Sequence, residues 1–399
     1  MKTRMVQSWT IMVVLVLALA ALTPAGKVAA QGGTYDRSET LYTSGTQWGP
    51  PSNWNPFMQG NYAMGTFGLC YESLLQGNID LSNNFLPGVS TLVRGGYGLQ
   101  TYYPDAPFML SANTAWLDLN LHKKPMDDLA FRRALAFAIN VKDIVETDYG
   151  NIVQAADPTG LLPIWFRYVD PAVVKELGFG YDPEKAEQIL ADAGYKDTTG
   201  DGLVEAPDGS TIALKVIVPN GWTDWMEAIK IIAKSAQAVG INVQPDYPDY
   251  PGYLDARLNG TFDLCIDNQP QMSNTPWTYY RWIFYNPLKD IASSQGGNYG
   301  RYDNQKVFDL VTQLDKTPVD DVKGMQSIIS QIQRIQLTDM PLIPLWYNGA
   351  WAQCSNAVWT GWPSSAEKDN HYLPITWRGY WNLSAIQMLA SLKPVPPAE

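Results

Sequence analysis

Residues 212–247 read IALKVIVPNGWTDWMEAIKIIAKSAQAVGINVQPDY. From Ile212 to Val218 the chain is β-branched and alternating, the period of a half-buried strand. From Asp224 to Val239 the apolar residues recur at helical spacing, and Gly240 stands where a helix gives way to a left-handed turn. Asp224 is expected as the N-cap, with Glu227 completing a capping box. Ile241 to Val243 begins a second strand. Strand, helix and strand make one βαβ unit, whose strands should run parallel through a right-handed crossover. This predicts an α/β fold.

The flanking sequence agrees. Over residues 114–121, Leu117, Leu119 and Leu121 alternate with Trp116, Asp118 and Asn120, again a half-buried strand. Asp127 and Asp128 offer an N-cap for a helix with Phe131, Leu135, Ala138 and Ile139 on one face and Arg132 and Arg133 pointing outward. Asp182 before Pro183 opens a helix that Gly194 closes. A short strand is expected over 262–267 and a helix over 320–337. Residues 341–347 form an extended, Pro-bounded segment, and the last fifty residues read as aromatic loop. No internal repeat or low-complexity tract is visible.

Composition narrows the function. The chain has 399 residues, enough for two or three domains. Its net charge is −11, which argues against a nucleic-acid partner and against docking on anionic lipid. With two His in the chain, His122 and His371, a His-rich metal site is excluded. Cys70, Cys265 and Cys354 lie in apolar surroundings. A disulfide with one thiol left over and three buried small hydrophobes both remain open. Asp197 and Asp201 match part of a Ca²⁺ loop, but Thr199, Asp208 and the missing second helix favour a plain turn. No cofactor is expected, and no GxSxG, GxxxxGK[ST] or HExxH motif is present. Residues 1–30 combine Lys2 and Arg4, an apolar run over 11–22 and small residues up to Ala30. This is a secretory leader cut before Gln31, with a run too short to span a bilayer. The protein is expected outside the cytoplasm, periplasmic or secreted.

Fifteen Trp and 22 Tyr stand out. Trp48, Trp54 and Asn55 sit in a polar, Pro-rich segment. Trp222 and Trp225 fall at the carboxyl end of a strand and the start of a helix, where open α/β sheets bind ligands and helix N–H groups are free. Trp277, Trp346, Asn348 and Trp351 lie in segments without core-like periodicity. A single Trp is most often buried packing. As a set, flat apolar faces interleaved with Asn, Gln and Asp suit a ligand with C–H faces and many hydroxyls, a sugar, and would also accept a peptide.

Several segments carry a family likeness: NWNPF at 53–57, LCYESL at 69–74, FRRALAFAIN at 131–140, YDPEKA at 181–186, GINV at 240–243 and LIPLWY at 342–347. With these the chain resembles the family 5 extracellular solute-binding proteins of ABC importers, the dipeptide/oligopeptide-binding class. WGPPSNWNPF at 48–57, GWTDW at 221–225 and LWYNGAW at 345–351 resemble the cellobiose and β-glucan oligosaccharide binders within it. The resemblance implies a periplasmic-binding-protein-like, two-lobed α/β fold of the class with an extra domain. It also implies ligand delivery to ABC permease subunits and no catalysis. One departure stands out. Leu75 runs straight into Gln76-Gly-Asn, where the family has a long stretch, so the first lobe is expected to be truncated. The expected parts are residues 1–30 as leader, 31–110 as the remnant of the first lobe, 111–345 as the second lobe, and 346–399 as a segment returning to the first. The expected function is capture of an oligosaccharide, cellobiose or a β-glucan fragment, by a monomer. Trp48, Trp54, Asn55, Trp222, Trp225, Trp277, Trp346 and Asn348 would form the site. The alternatives are an oligopeptide binder of the same family and a secreted glycoside hydrolase with a Trp-lined cleft.

Overall fold

The βαβ unit forms as the sequence predicts, inside a larger mixed sheet. The computed structural model describes residues 41–42, 74–86, 88–268, 273–284, 296–368 and 384–396. The expected leader, Trp48, Trp54, Asn55, Cys70 and His371 lie outside the described residues. By its contacts the chain falls into Met1–Leu41 and Tyr42–Glu399, and only Leu41 of the first part is described.

The described strands are β1 (Leu81–Ser82), β2 (Leu99–Gln100), β3 (Leu110–Leu119), β4 (Gln154–Ala155), β5 (Leu214–Ile217), β6 (Val243–Asp246), β7 (Leu264–Asn268), β8 (Leu342–Ala350), β9 (Gln353–Ser355), β10 (Trp359–Thr360) and β11 (Lys393–Pro394). The main sheet has the order β4-β8-β3-β7-β5-β6. β5 runs parallel to β6 and to β7, while β3 is antiparallel to both β7 and β8. The principal helices are α1 (Leu129–Ala138), α2 (Pro183–Asp192), α3 (Thr223–Ala238), α4 (Tyr250–Asn259), α5 (Trp277–Phe284), α6 (Gln305–Lys316), α7 (Val322–Asp339) and α8 (Ser384–Ser391). No helix among the described residues is long and apolar enough to cross a membrane.

Strand alternation sends successive side chains of the sheet into two cores. Ala115, Leu117, Ile343 and Leu345 join Phe131, Leu135, Ile229 and Ile232. Trp116, Leu342 and Tyr347 join Tyr280, Val311, Ile329 and Ile332. Every residue of β8 is therefore buried. The described part of the C-terminal segment is not all loop. β9 inserts between β1 and β2, with Leu81 opposite Cys354 and Leu99 opposite Ser355, and β10 pairs with β11. Cys265 and Cys354 are free and buried.

The caps follow the sequence with one exception. Asp128 accepts from the Ala130 N–H at 2.9 Å and Asp182 from the Lys185 N–H at 3.0 Å. Gly194 and Gly240 take the positive φ of helix-ending glycines. Asp224 does not cap α3. Trp222 holds the N-cap position without a side-chain bond, and Asp224 turns its carboxylate inward to a buried tyrosine. Arg132 is buried, not outward. Its guanidinium donates to the carbonyls of Met126, Asp339 and Met340 at 2.7–3.0 Å, closing the carbonyl end of α7. Arg133 donates to Leu337 and Thr338 there. Four of these five bonds meet carbonyls that the end of α7 leaves orphaned, which offsets the cost of burying Arg132.

Candidate functional site

β5 ends at Ile217, and Val218-Pro-Asn-Gly221 turns the chain into α3. Gly221 has φ +92°, a conformation that L side chains rarely adopt. Asn220 N–H donates to the Pro248 carbonyl at 2.8 Å, tying this turn to the end of β6. Trp222 is thereby set, half-buried, at the carboxyl ends of the parallel strands, the crevice where such sheets bind ligands. Its ring meets Trp225 edge-on at 4.8 Å and lies tilted against Tyr250 at 5.7 Å. Trp225 is only 4 % exposed and props Trp222 from the core. Tyr253 lies behind, its hydroxyl donating to the Ile266 carbonyl at 2.6 Å.

Two groups of carboxyls adjoin this aromatic face. The first lies on β3 and β7. Asp267 accepts from Arg257 Nη1 at 2.5 Å and from Trp282 Nε1 at 3.4 Å. The Arg257 guanidinium also lies over the rings of Tyr299 and Tyr253. On the neighbouring strand Asp118 accepts from Trp116 Nε1 at 3.1 Å, while its Oδ2 has no partner. Burial pushes Asp118 well above the usual carboxylate range and the Asp267 charge adds to this, against the pull of Arg257, Trp116 and Arg301. Burial raises Asp267 as well, opposed first by the Arg257 charge and then by the Asn268 N–H and the Trp282 indole.

The second group lies at the start of α3. A π-helical turn, Ile144–Asp148, delivers Tyr149, which is 2 % exposed. Its hydroxyl donates to Asp224 Oδ2 at 3.2 Å. Its ring is surrounded by Phe85 at 5.4 Å, Trp346 at 5.4 Å and Trp351, nearly parallel, at 6.2 Å. Burial raises Asp224 to about 6, opposed by the Trp225 N–H and the Tyr149 hydroxyl. Asp148 rises to about 8, through burial first and then the charges of Asp224 and Glu227, with Lys230 opposing. Asp148 Oδ2 is buried without a partner, and no guanidinium acts on either acid.

The structure brings some of the sequence-predicted residues together and separates others. Trp222 and Trp225 meet. Trp346 Nε1 donates to Asn348 Oδ1 at 2.7 Å, and Asn348 Nδ2 to Asn113 Oδ1 at 3.0 Å. The Trp346 ring is fully buried and has no face for a ligand in this arrangement. Trp277 is half-buried against the opposite core. Asp197 organises a turn. Its two oxygens accept from the N–H groups of Gly200 and Gly202 at 2.6 and 2.8 Å, and Asp201 accepts from the Leu203 N–H. Among the described residues no three His, Cys, Asp or Glu could together hold a metal ion. Sequence reasoning missed Asp148, Tyr149 and Tyr250. Residues 146–149, Glu-Thr-Asp-Tyr, carry no motif, and only a contact 75 residues along the chain gives Tyr149 its role.

Comparison with known proteins places the chain. Residues 70–289 match the pattern of "Bacterial extracellular solute-binding proteins, family 5 Middle". The chain belongs to this family. Its members are binding proteins of transport systems, not enzymes, so the glycoside hydrolase alternative falls. The α/β periplasmic-binding-protein-like fold expected from the sequence is the fold observed. A periplasmic oligopeptide-binding protein of an oligopeptide ABC transporter from Thermotoga maritima is 42 % identical, with a TM-score of 0.77 over 82 % of this chain and 61 % of that one. Its mannohexaose-bound structure gives 0.74. Heme-binding protein A of Haemophilus influenzae is 39 % identical over 62 % of this chain and 41 % of its own length. The dipeptide-binding protein of Escherichia coli is 23 % identical over 59 % and 40 %. The chain thus spans about 40 % of the length of these curated relatives.

Proposed function

We propose that this chain is the solute-capturing component of an ABC importer, working outside the cytoplasm and handing an oligomeric ligand to membrane permease subunits. The family match over 70–289 carries this reading. Residues 1–30 would be the leader that exports it. The first lobe would be reduced, with β9 returning to pair with β1 and β2. Binding would shift an open–closed equilibrium toward the closed state.

The ligand class supported most broadly is an oligopeptide, since relatives named for dipeptide and oligopeptide binding recur. A second reading, an oligosaccharide, is favoured by one specific observation: the relative 42 % identical to this chain is also known with mannohexaose bound. The half-buried Trp222 beside Tyr250 offers the flat apolar surface that stacks on sugar C–H faces. Trp48, Trp54 and Asn55, outside the described residues, stay candidates on the family likeness alone.

Thermal unfolding of the chain with peptides of two to nine residues, or with manno- and cello-oligosaccharides, tests both. A ligand that binds only the native state stabilises it by about 2.7 kcal/mol at a hundredfold excess over Kd. A rise in Tm with peptides alone supports the first reading and a rise with sugars alone the second. No rise with either series argues that the chain does not capture these solutes.

A further inference from the structure

Tyr149 joins parts of the chain that are far apart in sequence. Phe85 comes from the segment before β2, Trp346 from the centre of β8 and Trp351 from the residue after it. All three pack on the Tyr149 ring. Asn83 Nδ2 donates to the Trp351 carbonyl at 2.7 Å, holding that wall in place. The tyrosine hydroxyl donates to Asp224, two residues beyond Trp222, and also meets the Trp346 side chain. Met226 N–H donates to the Trp222 carbonyl at 2.8 Å, so Trp222 and Asp224 belong to the same first turn of α3.

We infer that Tyr149 is a positioning residue for the aromatic face at Trp222. Through its hydrogen bond to Asp224 it links the first turn of α3 to the Phe85–Trp346–Trp351 cluster, so the two move as one unit. The assignment of that face as a ligand surface rests on the function proposed above; the link itself does not.

The link is sensitive to protons because of what surrounds it. From the π-helical turn come Asp148 and Tyr149. From α3 come Asp224, Glu227 and Lys230, the last two paired at 2.7 Å. From the residue after β6 comes Tyr247, which faces Glu227 and Lys230. Above about pH 6 Asp224 is ionised and accepts a charge-assisted bond from Tyr149. Below it the carboxyl is neutral and the bond weakens. Asp148, raised to about 8 by burial and then by the Asp224 charge, titrates at higher pH.

Near-UV circular dichroism of the ligand-free protein between pH 4 and 9 tests this, since three Trp or Tyr rings report on the cluster and no solute is needed. The expected result is a reversible transition centred near pH 6. It disappears in Asp224→Asn, persists in Asp148→Asn, and moves up by roughly half a pH unit or more in Tyr149→Phe, which loses the donor that favours the charged form. No transition in the wild-type protein, an unchanged one in Asp224→Asn, or an unmoved midpoint in Tyr149→Phe overturns the link. If Tyr149→Phe fails to fold, Asp224→Asn, close in volume to the natural residue, decides the matter. Failure of every peptide and sugar to bind would overturn the proposed function and leave this titration standing.

Discussion

Two pairs of buried or half-buried acids, one on β3 and β7 and one at the start of α3, are built differently. On β3 and β7, Asp118 and Asp267 face Arg257 and Arg301. Burial raises both acids, Asp118 well above the usual carboxylate range, while Asp267 is held by a guanidinium and an indole N–H, and the aromatic rings of Tyr253 and Tyr299 flank the cation. At the start of α3, Asp148 and Asp224 have a tyrosine hydroxyl, a backbone N–H and the Lys230 charge, with no guanidinium. A buried acid with a matched cation is a structural brace with one stable charge state. A buried acid without one trades its proton in the physiological range, so its surroundings can change with pH or with what binds nearby. The same residue type therefore holds the sheet together on one side and leaves the helix start adjustable on the other.

The comparison breaks most directly at Arg257. Arg257→Met leaves Asp267 buried beside Asp118 with no cation in contact, and urea unfolding should show a loss of about 3–5 kcal/mol; a loss below about 1 kcal/mol would mean that the brace is not one. Trp225→Ala should cost about 3 kcal/mol or more, because the indole that props Trp222 is all but enclosed. Stability unchanged by that variant would contradict its burial.

On the adjustable side the sign is opposite. The folded Asp148 carboxyl titrates near 8, against 3.8 for an ordinary aspartate. The folded state thus holds the proton more tightly than the unfolded chain does. The contribution to stability is fully present below about pH 4 and is lost as the pH rises through 8. Asp148→Asn should therefore stabilise the protein by about 1–2 kcal/mol at pH 9 and change little at pH 4. Destabilisation at pH 9 would show that the ionised carboxylate has a favourable partner. The smallest expected effect on folding is at Trp222. Trp222→Ala should cost about 1 kcal/mol while reducing affinity for whichever solute series raises the Tm. Full affinity in that variant would remove Trp222 from the site.

The βαβ unit was legible because its signals are local. β-branched alternation, a 3.6-residue apolar period and Gly240 each act within a few residues, and the parallel pairing of β5 with β6 follows from them. The N-caps at Asp128 and Asp182 were readable for the same reason. Asp224 and Arg132 were misread because a side chain's direction depends on what lies opposite. Asp224 finds a buried tyrosine hydroxyl from residue 149, and Arg132 finds carbonyls from residues 339 and 340. Neither partner leaves a mark within a helical turn of the residue it draws inward.

Fold class and the position of Trp222 thus follow from local patterns along the chain, since periodicity and turn chemistry are short-range physics, and the family follows from the likeness of segments such as residues 131–140 to its members. Which tryptophans show a face, and which acids are braced or left to titrate, depends on long-range packing. Trp346 looked as available as Trp222 in sequence. β8 lies between β4 and β3 with both faces covered, so Trp346 is enclosed, whereas Trp222 sits past the end of β5, where the sheet stops and water begins.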